Sequence, residues 1–140
     1  MKLAISKCLC GYNCKYNGKN NNRDYLRELE KDAILICPEV LGGLPIPRIP
    51  FEIQNGRAIN KEGVDVTDKI MDGCIKALKI IKDNNITKVI LKENSPTCGV
   101  NFIYDGTFTH TKIKGCGMLT KMLKDNNIEV ISDEEYYEEK

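Results

Sequence analysis

Seven cysteines are the residues of this 140-residue chain with the clearest capacity for chemistry. Their number is odd, and the N-terminus turns polar too early for an export signal, so we expect a reducing compartment in which structural disulfides rarely persist. Metal binding, catalysis and filling of a hydrophobic core are the remaining roles for such thiols. The position of each cysteine in the fold has to separate these roles.

Three of the cysteines follow segments that we predict to be β-strands. These are Cys8 after the apolar run at 3–6, Cys37 at the end of the run at 33–37, and Cys98 in the loop after the run at 87–91. In an open α/β sheet, ligands bind beyond the carboxyl ends of the strands, where the strand order reverses. We therefore expect these three thiols to converge on one crevice.

Three converging thiolates are suited to a soft metal ion or an iron–sulfur centre, because thiolates select zinc, copper(I) or iron–sulfur clusters. A cubane cluster held by three thiolates keeps one iron without a protein ligand, and that iron can act as a Lewis acid toward a substrate. The alternative is that the three cysteines only fill a core.

The other four cysteines allow different interpretations. Cys10 and Cys14 form with Cys8 a local Cys-x-Cys-x-x-x-Cys set that could itself ligate metal, although this spacing matches no common zinc or ferredoxin pattern. Cys74 lies on the apolar stripe of a predicted helix and is expected in the core. Cys116 lies near the start of the last predicted helix, where a ligand or a free-thiol role stays open.

Strands that alternate with helices position these residues. They predict a three-layer Rossmann-like or flavodoxin-like α/β fold with a mainly parallel sheet of about four strands. The fourth strand covers 129–132, and the helices cover 23–32, 67–83 with Thr67 as a cap, and a segment that includes 118–123. Asn55-Gly56 predicts a peripheral hairpin, because both turn positions favour positive φ.

Three connecting segments have their own signals. The prolines and glycines that follow Cys37 predict a long, stiff loop without regular structure. The sequence Lys-Asp-Asn-Asn-Ile occurs at both 82–86 and 124–128, so two helices should end in the same asparagine-rich cap. The acidic tail at 133–140 is expected to be a frayed, solvated end.

Composition excludes several classes of protein. Twenty-one basic and twenty acidic residues nearly cancel, which does not indicate a nucleic-acid-binding surface. No apolar stretch approaches the roughly 20 residues that span a bilayer. We expect one domain over residues 1–140, located in the cytoplasm and without membrane contact.

Several motifs over nearly the whole chain carry a resemblance to a known family. They are Ser6-Lys-Cys8-Leu, Cys14-Lys-Tyr-Asn-Gly18, Cys37-Pro-Glu-Val-Leu-Gly-Gly-Leu-Pro45, Pro47-Arg48, Asn60-Lys-Glu-Gly-Val-Asp-Val-Thr67, Lys92-Glu-Asn-Ser-Pro-Thr-Cys98-Gly99 and Tyr104-Asp-Gly-Thr107. With them the chain resembles the DUF523 family, whose members include thiouracil desulfidases. The resemblance implies a [4Fe-4S] cluster bound by Cys8, Cys37 and Cys98, in agreement with the strand-end argument.

The same resemblance implies that Glu39 and Ser95 are catalytic groups. We hypothesise a non-redox desulfuration in which the sulfur of a thiolated pyrimidine, such as 2-thiouracil or a thiouridine, binds the open iron and water replaces it. Glu39 would activate the water, and residues two apart on an extended segment share a face, which would place it beside Cys37. Ser95 would donate or relay a proton.

Each assignment has a simpler alternative. Glu39 could only hydrogen-bond the glycine-rich loop, and Ser95 could only cap the turn at Pro96. Arg48 could bind substrate or be a surface cation. His110, in a threonine-rich loop, is expected to be exposed to solvent.

Two rival functions remain at this level. The thiols could hold zinc or a cluster for a structural purpose, or the cluster could serve electron transfer without desulfidase activity. The balanced charge favours a small thiolated pyrimidine base or nucleoside over thiolated tRNA. The sequence contains no signal that indicates the oligomeric state.

Overall fold

This computed structural model describes residues 2–139 of the chain. Its centre is a parallel sheet with helices on both faces. The elements are β1 (Leu3–Ser6), α1 (Asp24–Arg27), β2 (Ala33–Ile36), α2 (Pro38–Leu41), β3 (Phe51–Gln54), β4 (Arg57–Asn60), α3 (Thr67–Asp83), β5 (Lys88–Leu91), β6 (Phe102–Tyr104), β7 (Lys112–Lys114), α4 (Met118–Asp125), β8 (Glu129–Ser132) and α5 (Asp133–Glu139). Short 3-10 helices cover Lys7–Cys10 and Glu30–Asp32.

The four strands of the main sheet are parallel and lie in the order β2-β1-β5-β8. From β1 the chain moves to one side to form β2 and then crosses to the other side to form β5. The crevice beyond the carboxyl ends of β1 and β5 is therefore the point where strand order reverses, and this is where such sheets bind ligands.

Alternate residues of the strands pack into two separate cores. On one face, Ala4 and Val89 lie in a core that contains the apolar sides of α3 and α4. On the other face, Ile5 and Ile90 pack with Leu26 and with residues of the first 3-10 helix and of α5. Both faces of the sheet are thus covered, and the predicted three-layer α/β fold is confirmed.

Two antiparallel pairs, β3–β4 and β6–β7, lie outside the main sheet. The turn between β3 and β4 has positive φ at Asn55 (51°) and Gly56 (77°), as predicted. The repeated asparagine-rich caps are also equivalent, since Asn85 and Asn127 have φ values of 54° and 59°. These left-handed residues end α3 and α4 and direct the chain into β5 and β8.

The segment after Cys37 begins with a helix, which corrects the prediction of a loop without regular structure. Cys37 is the N-cap of α2 and Pro38 occupies its first turn, where a missing N–H is tolerated. This turn packs directly on α3: a Cβ atom at Gly42 would lie 2.0 Å from the carbonyl oxygen of Lys69. Only a glycine allows the two backbones to approach so closely, and this contact fixes the position of α2.

Thr67 does not cap α3, although the predicted bounds of that helix are confirmed. Val66 is the N-cap, and Thr67 Oγ1 accepts a hydrogen bond of 2.8 Å from the backbone N–H of Ala58. The N–H of Thr67 is bound instead by Asp65 Oδ1 at 2.8 Å. The predicted helix at 23–32 is likewise divided into α1 and a 3-10 turn.

The acidic tail is ordered as α5, which corrects the prediction of a frayed end. Asp133 is fully buried, and its Oδ1 accepts a hydrogen bond of 2.9 Å from the N–H of Glu93. Arg23 lies 3.4 Å from its other carboxylate oxygen. The start of the tail therefore belongs to the interior and supports the loop that follows β5.

No helix within residues 2–139 combines the length and apolar character needed to cross a membrane.

Candidate active site

A cavity of about 520 Å³ lies at the carboxyl ends of β1, β2 and β5. Cys8, Cys37 and Cys98 all line it, and Glu39 and Ser95 line it as well. The three strand-end cysteines that we expect to converge therefore do share one cavity. The roles of these site residues as ligands and catalytic groups stay predictions.

Cys8 lies in the 3-10 helix that directly continues β1. Asn21 Nδ2 donates a hydrogen bond to its sulfur at 3.4 Å. A hydrogen bond with the thiol of Cys14, opposed by burial and assisted by Asn21, lowers the pKa of Cys8. Donors that point at this sulfur favour its thiolate form.

Cys14 is a fourth thiol in the same cavity. It is buried, and its contacts with the thiols of Cys37 and Cys8, together with burial, raise its pKa. Cys10, by contrast, lies in the core on the far side of the sheet, where its thiol points at the carbonyl of Leu26. Burial raises the pKa of Cys10 to about 11.

The local set of Cys8, Cys10 and Cys14 is thus divided between the cavity and the core. This removes the local set as a compact metal site. The spacing of these cysteines gave no signal that Cys14 faces the cavity and Cys10 does not, although only Cys14 stands in one of the motifs that carry the family resemblance.

Glu39 lies beside Cys37, but for a different reason from the one expected. The two residues are not on an extended strand: Cys37 caps α2 and Glu39 belongs to its first turn. The turn brings the carboxylate Oε2 to 3.5 Å from Cys37 Sγ. Glu39 is only 8% exposed, so its carboxylate faces the cavity from a largely buried position.

Ser95 caps the turn that presents Cys98. Its Oγ accepts hydrogen bonds from the N–H groups of Thr97 at 3.2 Å and Cys98 at 3.1 Å. The capping alternative is therefore realised, yet these bonds use only the lone pairs of the hydroxyl, and its O–H can still be donated to a ligand. Burial, followed by the charge of Glu39, raises the pKa of Cys98 well above its usual value.

Glu93 is a buried carboxylate that the sequence analysis missed. Its Oε1 accepts hydrogen bonds from the N–H groups of Val100 (2.8 Å), Asn101 (2.9 Å) and Phe102 (3.1 Å). Burial alone would raise the pKa of Glu93, but the bonds from Asn101, Phe102 and Val100 together lower it. One carboxylate thus closes the ends of the loop that carries Ser95 and Cys98.

Arg48 lines the cavity and is held by the backbone. Its Nη2 donates to the carbonyl of Cys14 at 3.0 Å, and Nη1 donates to the carbonyl of Pro45 at 3.4 Å. Its Nε is buried and has no hydrogen-bond partner among residues 2–139. The guanidinium is therefore a positioned, half-buried group, and its role in substrate binding stays a prediction.

The remaining candidates lie where their surroundings suggest other roles. Cys74 is fully buried in the core below α2, as predicted, and burial raises its pKa to about 12. Cys116 is half-buried just before α4 and does not line the cavity. His110 is exposed, as predicted, but its side chain also lines the cavity.

The donor set of the cavity suits an iron–sulfur cluster, because three cysteine thiols line it and thiolates are the usual ligands of such clusters. Within residues 2–139, no group of three or more His, Cys, Asp or Glu side chains is arranged to hold a metal ion. Several cations also line the cavity, which suits an anionic thiolate-bound cluster; they are Lys7, Lys15, Arg48, Lys61 and Lys92.

Sequence comparison decides the family. The sequence model of the 2-thiouracil desulfurase family matches residues 3–135. The chain belongs to this family. It is also 42% identical over 145 residues to the uncharacterized protein YbbK of Bacillus subtilis (strain 168), across 95% of this chain and 96% of YbbK.

A solved structure of the family shares the fold. The chain is similar to TudS, described as a [4Fe-4S]-dependent thiouracil desulfidase, with a TM-score of 0.92 and 36% identity. The match covers 98% of this chain and 93% of that chain. The predicted resemblance to thiouracil desulfidases of the DUF523 family is confirmed.

Proposed function

We propose that this chain is a [4Fe-4S]-dependent enzyme that replaces the sulfur of a thiolated pyrimidine with oxygen from water. The observation that carries the proposal is that three strand-end thiols, Cys8, Cys37 and Cys98, share one cavity with Glu39 and Ser95. Membership of the desulfurase family and the likeness to TudS support it.

Cys8, Cys37 and Cys98 would hold the cluster from three loops that meet at the crevice. When bound, a cluster with three thiolate ligands supplies an iron that is free to act as a Lewis acid toward the substrate sulfur. Asn21, which donates to Cys8 Sγ, would favour the thiolate at that ligand. Burial of Cys98 would keep its thiolate away from solvent.

Glu39 would be the general base. Its carboxylate lies 3.5 Å from one ligand sulfur, so a water molecule held by it would be close to a pyrimidine bound at the cluster. A side chain that accepts the proton of the attacking water typically contributes 10²- to 10⁴-fold to the rate. The first turn of α2, fixed by its contact with α3, would hold this carboxylate in place.

Ser95 would be the proton donor or relay. Because the N–H groups of Thr97 and Cys98 occupy its lone pairs, the hydroxyl hydrogen is directed away from the turn. Protonation would assist departure of the sulfur. The capping and the catalytic role are thus compatible in one side chain.

Arg48 would bind the substrate. The two bonds to the backbone carbonyls of Cys14 and Pro45 orient its guanidinium, and the unpartnered Nε is one more N–H donor. Carbonyl oxygens of a pyrimidine are suitable acceptors. We propose a small base or nucleoside as the substrate, and thiolated tRNA is the alternative. The small substrate is favoured because the basic and acidic residues nearly balance, whereas binding to RNA phosphates needs an excess of positive charge.

The net reaction converts C=S and water into C=O and hydrogen sulfide, with no transfer of electrons. The test is anaerobic reconstitution followed by incubation with 2-thiouracil or 2-thiouridine, with and without a reductant. We expect uracil or uridine and one equivalent of sulfide, without an electron donor. A colourless zinc protein, or turnover that requires a reductant, would overturn the proposal in favour of a structural or electron-transfer role.

A further inference from the structure

The loop at 105–111, between β6 and β7, has an unusual backbone. Phe108 and His110 adopt left-handed φ values of 58° and 60°. This conformation is unfavourable for residues with large side chains and persists only where the surroundings enforce it. Contacts with the rest of the protein must therefore hold Phe108 and His110 in this conformation.

Glu52 of β3 enforces this conformation. Its Oε1 accepts hydrogen bonds from the N–H groups of Gly106 at 3.0 Å and Phe108 at 3.1 Å. Gln54 adds a bond of 2.7 Å to the carbonyl of Gly106. A Cβ atom at Gly106 would lie 2.7 Å from the carbonyl oxygen of Ile53, so the loop and the hairpin are in close contact.

Side chains of the loop alternate between two directions. The hydroxyls of Thr107, Thr109 and Thr111 form an exposed hydrogen-bonded row, with distances of 2.6 and 2.9 Å. The residues between them, Phe108 and His110, line the cavity that contains the three cysteines. The threonine row thus stabilises a conformation in which the aromatic residues face the site.

Three aromatic residues therefore line the cavity. Tyr104 lines it as well, and its ring lies edge-on to that of His110, with centroids 6.2 Å apart. Phe108 is half-buried and lines the cavity, so part of its side chain is open to a ligand there.

We propose that Phe108 is the stacking surface for the pyrimidine ring of the substrate, with Tyr104 and His110 closing the same wall. The proposal rests on the proposed function and assigns the group that recognises the ring rather than its sulfur. Every pyrimidine has a π-face, so stacking holds the ring and leaves the thiocarbonyl free to point at the cysteines. Phe108 is then a specificity residue for flat heterocycles.

Steady-state kinetics of Phe108→Leu tests the stacking. Leucine is also a large apolar residue and has to adopt the same left-handed backbone conformation as Phe108, but it has no aromatic ring on which a pyrimidine could stack. We expect the KM for 2-thiouracil to rise about tenfold, the loss of one base–aromatic contact, with kcat changed less than threefold. Phe102→Leu is the matched control, because Phe102 is 40% exposed and does not line the cavity.

A fluorescence experiment tests whether a pyrimidine binds beside residue 108 without the need for catalytic turnover. The chain contains no tryptophan, so Phe108→Trp introduces a single reporter. In holoenzyme with wild-type iron content, uracil should change the fluorescence of Phe108→Trp saturably and leave Phe102→Trp unchanged. An unchanged signal at Phe108→Trp, or a KM of Phe108→Leu within twofold of wild type, would overturn the proposal.

The two levels of failure are distinguishable. If wild-type holoenzyme converts neither 2-thiouracil nor 2-thiouridine, the proposed function fails, and the uracil titration still decides whether Phe108 stacks a pyrimidine. If the wild-type enzyme is active but either Phe108 variant fails to show the expected change, the stacking surface is wrong and the desulfidase reaction stands. Should Phe108→Trp lose its cluster, the KM of Phe108→Leu decides.

Discussion

The sulfur of Cys37 lies 3.5 Å from the carboxylate Oε2 of Glu39. The first turn of α2 creates this proximity, and Gly42 and Gly73 allow α2 to rest directly on α3. Cys37, the predicted cluster ligand, and Glu39, the predicted general base, therefore lie on the same short helical turn. Their relationship gives the first test of the proposed chemistry.

Glu39→Gln should abolish most desulfidase activity and leave the cluster in place. The amide retains the size of the side chain but cannot accept the proton of a water molecule, so we expect kcat to fall at least about 100-fold. Iron content should equal that of wild type. Glu62→Gln, at an exposed position, is the control. A Glu39→Gln enzyme with near-normal kcat would exclude Glu39 as the base.

Alanine substitutions should separate ligand thiols from their neighbours. Iron and acid-labile sulfide after anaerobic reconstitution should fall severalfold or more in the alanine variants of Cys8, Cys37 and Cys98. Cys14→Ala should retain the cluster, because three thiolates suffice when one iron is open to substrate. Cys10→Ala is a control on the far side of the sheet. Loss of the cluster in Cys14→Ala would indicate a fourth ligand and contradict the open iron.

Two substitutions should separate the structural from the catalytic role of Ser95. Ser95→Ala removes the acceptor for the N–H groups of Thr97 and Cys98, so we expect a loss of about 1–2 kcal/mol in the free energy of unfolding as well as low kcat. Ser95→Asn can still accept from the turn and should recover stability without recovering kcat. Normal kcat in either variant would leave Ser95 with the capping role alone.

Arg48→Lys should weaken substrate binding more than it slows chemistry. Lysine retains the charge, but its three N–H donors lie on one nitrogen and lack the planar fork by which the guanidinium reaches both backbone carbonyls. We expect the KM for 2-thiouracil to rise about five- to tenfold, which corresponds to roughly 1 kcal/mol. Arg57→Lys, at an exposed ion pair with Asp65, is the matched control. An unchanged KM would remove Arg48 from the substrate site.

Glu93→Gln should destabilise the protein and loosen the loop that carries Ser95 and Cys98. The neutral amide is a weaker acceptor for the N–H groups of Val100, Asn101 and Phe102, so about 1.5–3 kcal/mol of unfolding free energy should be lost. Faster amide hydrogen exchange at Val100 and Phe102 would locate the effect. Unchanged exchange there would contradict the role of Glu93.

The effect of Glu93 should depend on pH. Its folded pKa is lowered from 4.5, so the ionised carboxylate contributes stability that is fully present above the unfolded pKa. That contribution is lost as the pH falls through the folded value. Denaturant unfolding of wild type and Glu93→Gln should therefore converge in acid, whereas a constant difference would show that ionisation is not involved.

Most regular elements were predictable from the sequence because their signals are local. The bounds of β1, α3 and β8 agree with the apolar runs and the helical periodicity. The hairpin at Asn55-Gly56 follows from the φ values that these two residues tolerate. The helix at Pro38 was missed because proline is excluded from helix interiors but accepted in a first turn, and only the packing on α3 decides between the two.

Part of the candidate site was also predictable, for a topological reason. Parallel strands end at one edge of a sheet, so cysteines that follow three such strands had to be near each other. Glu93 and Asp133 were not predictable in this way. They are 40 positions apart, and each is stabilised in the interior by donors from elsewhere in the chain. Their charge alone indicates solvent exposure, which is where most carboxylates lie.

The sequence by itself determined the family, the order of the elements and the placement of Cys8, Cys37 and Cys98 at one sheet edge, because these depend on residue types and on strand direction. Only the tertiary structure decided that Cys14 faces the cavity while Cys10 enters the opposite core. It also decided that Phe108 and His110 line the same cavity as the three cysteines. Irregular segments have no period, so the direction of each side chain is set by long-range contacts such as those of Glu52.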